Sequence, residues 1–362
     1  MKFKKLWLSL VAVAFVVTFT STVHAQFKLQ GDPKIAMVYF AVKNDGGWTQ
    51  AIDEARQRLE GQLNVKIPFT EKVPEVASQI RPVVERYIQR GFNIIIGSAF
   101  GYSDTFLELS KEYPKVAFLN PAGTTNGPNL QSYYGRTYES QHLCGMVAGA
   151  MSKSGKLGFI AAHPIGLVNW TVNAYLLGAR RMNPNATVNV VYTGAWLDPV
   201  KERAAALALM EQGVDAIGIH VDTPAAPIAA QEKGAFATGH HRDMAEFAGK
   251  AVGCSSVWVW DKYLEPLLKK ISSGAEWNTQ PYGEFLGIAH GGTDIACCGS
   301  MVPAEVKSKV MARRQDLING AHVFEGPIVD QNGKERVAAG KTPSDADLWG
   351  MNYLVQGVIG KL

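Results

Sequence analysis

The residues best equipped for chemistry crowd into one stretch, 212–244. His220 and Asp222 close a short apolar run over 215–221, and Gly239-His240-His241-Arg242-Asp243 closes the next. Imidazoles and carboxylates at this spacing could ligate an ion such as Zn²⁺. They could equally donate and accept hydrogen bonds to an organic ligand. The second reading is preferred, because such His–Asp pairs at strand ends more often serve an organic ligand; a metal-dependent receptor is the alternative.

A second pattern is aromatic. Trp48, Phe100 with Tyr102, Trp196, and Trp258 with Trp260 all fall near the ends of expected strands. A flat ligand held between ring faces gains about 1–3 kcal/mol per stacked base. Nearby carboxylates can accept from ring N–H groups or hydroxyls, in charge-assisted bonds about twice as strong as neutral ones. Asp45, Asp104, Asp222 and Asp243 occupy fitting positions. The chain lacks motifs for nucleotide hydrolysis: 149–156 ends in Gly-Lys, but its spacing is wrong and Leu157 replaces the Ser or Thr of a phosphate loop. It has no GxGxxG after the first strand, no GxSxG elbow and no carboxylate pairing of glycosidase type. A binding protein is therefore expected rather than an enzyme, with an exported nucleoside hydrolase as a rival.

These residues need a scaffold. Apolar runs at 34–40, 65–69, 92–98 and 115–119 alternate with helical patterns at about 49–63, 75–90 and 104–113. That alternation predicts right-handed crossovers and a parallel, doubly wound sheet. The small-residue helix 140–151 precedes a break at 152–156, read as the first crossing between lobes. A second alternation follows, with strands at 157–161, 188–193, 215–221 and 254–260, and later ones at 282–288 and 294–298. In open α/β sheets ligands bind at the carboxyl ends of the strands, where the histidines and aromatics lie. The 330–333 turn, Asp-Gln-Asn-Gly, predicts a hairpin.

The 362 residues exceed one ordinary domain, and 47% apolar with 19% charged residues is globular composition. Residues 1–25 read as a cleavable export signal, with Lys2, Lys4 and Lys5, an apolar run over 6–19, and Val23-His24-Ala25 at the cleavage point. No cysteine lies near that point, so the mature protein is expected to be exported without a lipid, most simply to a periplasm. Removing those three lysines from 36 basic residues leaves 33 against 32 acidic ones, which gives no support for nucleic-acid or membrane-surface binding. Cys144 reads as a buried small apolar residue, and adjacent Cys297 and Cys298 as poorly placed to pair with each other.

Several segments together resemble the basic membrane protein (BMP) family of ABC-transporter substrate-binding proteins. They are Asp45-Gly46-Gly47-Trp48-Thr49, the stretch 97–104, Trp196-Leu197-Asp198-Pro199, 211–215, His220-Val221-Asp222-Thr223-Pro224, 324–328 and Leu348-Trp349-Gly350-Met351. The resemblance implies a type I periplasmic binding fold: two Rossmann-like α/β lobes, 33–152 plus 254–278 and 153–253 plus 279–330, joined by hinge strands, with 331–362 packing on them. It also implies a monomer with no cofactor, a purine base or nucleoside as small-molecule ligand, and an ABC permease as partner. A receptor of the same fold for a sugar or amino acid is the alternative. The implied ligand-binding set is Trp48, Phe100, Tyr102, Asp104, Trp196, Asp222, His240, Asp243 and Trp260, with the purine between Trp48 and Trp196. Nucleoside-binding members carry Gly-x-Asp-x-Asp and a following Lys that suit ribose. Here Gly239-His240-His241-Arg242-Asp243 and Trp258 or its neighbours stand in those places, which favours a free base or a differently decorated flat ring.

Overall fold

A computed structural model describes residues 27–280 and 282–362; the expected export signal lies outside them. Two sheets form two lobes. The first has the spatial order Phe69–Thr70, Ile35–Val38, Ile94–Ile96, Ala117–Pro121, Leu130–Gly135, Glu284–Leu286, all parallel. The second runs Val358–Ile359, Thr187–Tyr192, Lys156–Ala161, Ala216–His220, Phe236–Gly239, Val252–Trp258, Thr293–Cys297; only its last pair is antiparallel. The parallel strands are almost wholly buried apolar runs such as Ile94-Ile95-Ile96 and Ala216-Ile217-Gly218-Ile219, as sheets covered on both faces require. Among the described residues no helix is long and apolar enough to cross a membrane.

The chain passes between the sheets between Gly135 and Thr137, between Trp258 and Trp260, and between Leu286 and Thr293. The first passage comes earlier than expected. Helix Thr137–Met151 belongs with the second lobe, where it lies against helix Gly166–Met182. Glycine explains this. A β-carbon at Gly145 would run into the Tyr175 backbone, one at Gly149 into Ala179, and one at Gly178 into His142. The two helices touch main chain to main chain, and bulkier residues would hold them apart. The second passage also differs from expectation. Strand Val252–Trp258 stays in the second sheet, beside Phe236–Gly239, and only helix Trp260–Ser272 returns to the first lobe, against Trp48–Leu63. Conversely, Glu284–Leu286 pairs with Leu130–Gly135 of the first sheet.

The last segment is bound to both lobes. Ile328–Val329 and Glu335–Val337 pair antiparallel around a turn in which Asp330 accepts from the Asn332 and Lys334 amides. Helix Asp345–Trp349 follows, and Asp345 forms a two-pronged pair with Arg136 at the first passage, at 2.7 and 2.9 Å. Val358–Ile359 then adds an edge strand to the second sheet. Cys144 is buried, 3.5 Å sulfur to sulfur from Cys254. Cys297 and Cys298 are bonded to each other, contrary to expectation: the peptide between them is cis and their Cα atoms are 3.0 Å apart.

Candidate functional site

The lobes meet over a narrow slot with about 400 Å³ free of protein atoms, part of it open to solvent. From the first lobe come Phe40, Trp48, Glu75, Ala99, Phe100, Ala122 and Tyr134. From the second come Leu167, Trp196, His220, Asp222 and His241.

Local chemistry fixes each of these. Asp45 accepts from the amides of Gly47, Thr49 and Gln50, at 2.9, 2.9 and 3.0 Å. It thereby satisfies orphan N–H groups at the start of helix Trp48–Leu63. Trp48 opens that helix, and its indole N–H donates to the Ser98 carbonyl at 2.6 Å. Phe100 lies in a single 3-10 turn held by Ser103 Oγ donating to its carbonyl and by the Gly101 amide donating to Glu75. Trp196 precedes a reciprocal cap. Asp198 accepts from the Lys201 amide at 3.0 Å, and Glu202 accepts from the Asp198 amide at 3.1 Å, around Pro199 in the first turn of helix Pro199–Glu211. The Trp196 carbonyl accepts from the Asp222 amide at 2.9 Å, tying the two slot loops together.

His220 ends strand Ala216–His220, and His240 and His241 follow Phe236–Gly239. Their rings pack at a tilt: centroids are 4.7 Å apart for His220 and His240, and 4.0 Å for His240 and His241. Among the described residues no group of three His, Cys, Asp or Glu could hold a metal ion. His241 has φ +73, a conformation uncommon for a residue with a β-carbon. Its Nδ1 accepts from the Trp258 indole N–H at 2.9 Å. Its Nε2 stands 3.1 Å from Asp222 Oδ1, out of line for a hydrogen bond. Among the described residues neither nitrogen of His220 has a partner, nor does His240 Nε2.

The second-lobe wall of the slot is electrically quiet. Burial, then the charge of His163, brings His220 down to about 4. Burial and neighbouring imidazoles hold His240 and His241 well below the usual histidine range. Burial, then Asp45, Glu202 and Glu75, pushes the Asp222 carboxyl well up. Neutral rings and a neutral acid suit an uncharged ligand with hydrogen-bonding edges.

Of the nine residues expected to bind, Trp48, Phe100, Trp196 and Asp222 meet at the slot, and His240 stands directly behind it, packed against His220 and His241. The other four stand elsewhere. Tyr102 is wholly buried in the first lobe, its hydroxyl donating to Val73 O. Trp260 is buried behind the wall, stacked on Trp258 at 4.4 Å. Asp104 is exposed in the first turn of helix Ser103–Glu112. Asp243 is exposed and accepts from the Ala245 amide and Ser255 Oγ. Trp48 and Trp196 both line the slot, but the first-lobe ring packed near Trp196 is Phe100, at 6.4 Å between centroids. Trp48 meets Trp258 and Trp260 edge-on. Phe40, Glu75, Tyr134 and Leu167 were not foreseen. Phe40 ends an expected strand and could have been found on that ground, whereas the others come from positions where the sequence shows no site signal.

Residues 32–326 match the family model for Bmp, ABC transporter substrate-binding protein PnrA-like. The chain is similar to a purine-binding protein of Brucella abortus, 34% identical over 342 residues, covering 94% of this chain and 95% of that one. It is also similar to a Haloferax volcanii protein whose provisional name makes it the glucose-binding component of an ABC transporter, 34% identical over 285 residues, 78% of this chain and 72% of that one. Among solved structures, an ABC transporter solute-binding protein from Conexibacter woesei superposes with a TM-score of 0.66 at 22% identity, covering 81% of this chain and all of that one. A two-lobed α/β chain with its slot between the lobes, matched over most of its length, belongs to the Bmp family of PnrA-like ABC transporter substrate-binding proteins.

Proposed function

We propose that this protein is the exported, monomeric receptor of an ABC importer, and that it captures a purine base between its lobes and delivers it to a membrane permease without chemical change or cofactor. The observation that carries this reading is the pairing of Phe100 and Trp196 across the slot, 6.4 Å between centroids and 49° between planes. A flat ring needs about 7 Å between two faces, twice an ordinary carbon contact of about 3.5 Å. A small opening of the hinge that levels the tilt admits it. The neutral wall of His220, His241 and Asp222 then meets the ring's edge. The purine-binding Brucella relative supports the same reading.

A sugar receptor is the second reading, favoured by the Haloferax relative. A sugar presents hydroxyls all round its rim and calls for many polar partners, whereas eight of the twelve residues that line the slot are apolar or aromatic. Tryptophan-fluorescence titration with adenine, hypoxanthine, guanine, adenosine and glucose tests the two. A purine base is expected to perturb the emission, and Phe100→Ala and Trp196→Ala each to weaken its binding about tenfold or more. A response to glucose with none to any purine overturns the proposal.

A further inference from the structure

We propose that Trp258, which does not line the slot, is a positioning residue for recognition: its indole N–H fixes His241 as the Nε2–H tautomer, and so presents the ligand's edge with a hydrogen-bond donor of set identity. The ligand part of this rests on the ring-binding reading above; the tautomer part does not.

The argument is one of donors and acceptors. An indole nitrogen can only donate. Trp258 Nε1 lies 2.9 Å from His241 Nδ1, so Nδ1 must accept and a neutral ring must carry its proton on Nε2. Burial keeps that ring neutral. The contact is doubly held, because the Trp258 amide also donates to the His241 carbonyl at 3.0 Å. The same logic fixes the neighbouring ring. Gln141 Nε2 faces the Ile219 carbonyl at 3.1 Å, which can only accept, so that atom is the amide NH₂. It therefore donates to His240 Nδ1 at 3.1 Å, and His240 too carries its proton on Nε2. His241 is the one of these two rings that lines the slot. It is buried, and its Nε2 has Asp222 Oδ1 at 3.1 Å but out of line, so among the described residues no acceptor is aligned with it. A buried donor left unpaired costs about 1–3 kcal/mol. A ligand that brings a lone pair to it recovers that cost, and one that brings C–H or N–H does not.

The ligand class that follows is an uncharged flat ring with a lone pair, on a ring nitrogen or carbonyl oxygen, at the edge facing His241. Trp258 is also the last residue before the chain crosses back to the first lobe, so the tautomer is set at the hinge itself.

Two measurements test this. In protein labelled with ¹⁵N-histidine, long-range ¹H–¹⁵N spectra are expected to show His241, assigned by its absence in His241→Gln, with Nδ1 unprotonated and Nε2 protonated. In Trp258→Phe the same signal is expected to become a mixture of tautomers. A wild-type His241 that is protonated on Nδ1, or doubly protonated, overturns the proposal whether or not the variant folds. The second measurement is calorimetric titration with adenine and its deaza analogues, each with one ring nitrogen replaced by CH. One analogue is expected to bind the wild type about tenfold more weakly than adenine, and to bind Trp258→Phe no more weakly than adenine does. An unchanged penalty in a variant whose melting profile shows it folded overturns the proposal. No binding by adenine or any analogue defeats the purine reading instead, and the tautomer then stands or falls on the spectra.

Discussion

At the scale of single residues, the slot shows how often a carboxylate after a strand serves the backbone rather than a ligand. Asp45, Asp198 and Asp243 all accept from amides at or near helix starts. From sequence alone a helix cap and a ligand contact look identical, because both favour Asp just beyond a strand. Asp222 differs because no amide reaches its carboxyl and burial leaves it raised. Aromatics carry the same ambiguity, and Tyr102 and Trp260 fall to the core. Glu202 offers a direct test of the electrostatics. Buried, and partnered by Thr223 and the Asp198 amide, its carboxyl is pushed up to about 7 from an ordinary 4.5. The folded state therefore binds more protons than the unfolded one between those values. This residue's contribution is full below pH 4.5 and declines as pH rises toward 7, by about 3 kcal/mol. Glu202→Gln is expected to remove that decline, so that the stability difference between variant and wild type, from urea unfolding, grows in the variant's favour from pH 4.5 to 7 and is level above it. A constant difference would contradict the assignment. His220 acts in the opposite sense. Its depressed value means stability is present above 6.5 and lost as pH falls toward 4.

At the scale of elements, the alternation of strands and helices was legible, since buried parallel strands write themselves as unbroken apolar runs. Which sheet each strand joins was not. Val252–Trp258 and Glu284–Leu286 have no local feature that names their neighbour; the free edge they find is a property of the whole assembly. The small-residue character of Thr137–Met151 was visible, but its partner helix was not. That contact predicts a large effect from a small change. Gly178→Ala would press a methyl into the His142 carbonyl, and the helix pair would have to part. About 3 kcal/mol is expected, with a melting temperature roughly 10 °C lower by calorimetry. An unchanged melting temperature would show that the two helices can slide apart freely.

At the scale of the whole molecule, the two lobes are joined by both charge and close packing. Arg242 of the second lobe pairs with Glu54 of helix Trp48–Leu63 at 2.7 Å, a partly exposed bridge of modest worth. The stronger constraint is steric. A β-carbon at Gly47 would overlap the Asp222 backbone, and one at Gly46 would strike the Pro224 ring. Gly47 itself has φ −142 and ψ −111. In Gly47→Ala, small-angle scattering with saturating adenine is expected to show a particle that stays more extended than the wild type. Equal scattering curves would mean the lobes meet some other way.

The missing side chain at position 47 thus works as clearance in a latch. With it, the jaws seat on bare main chain and seal what lies between them. A single methyl would serve as a doorstop, giving a receptor that still admits its cargo but lets it escape as fast as it enters, and that presents the transporter with a mouth never fully shut.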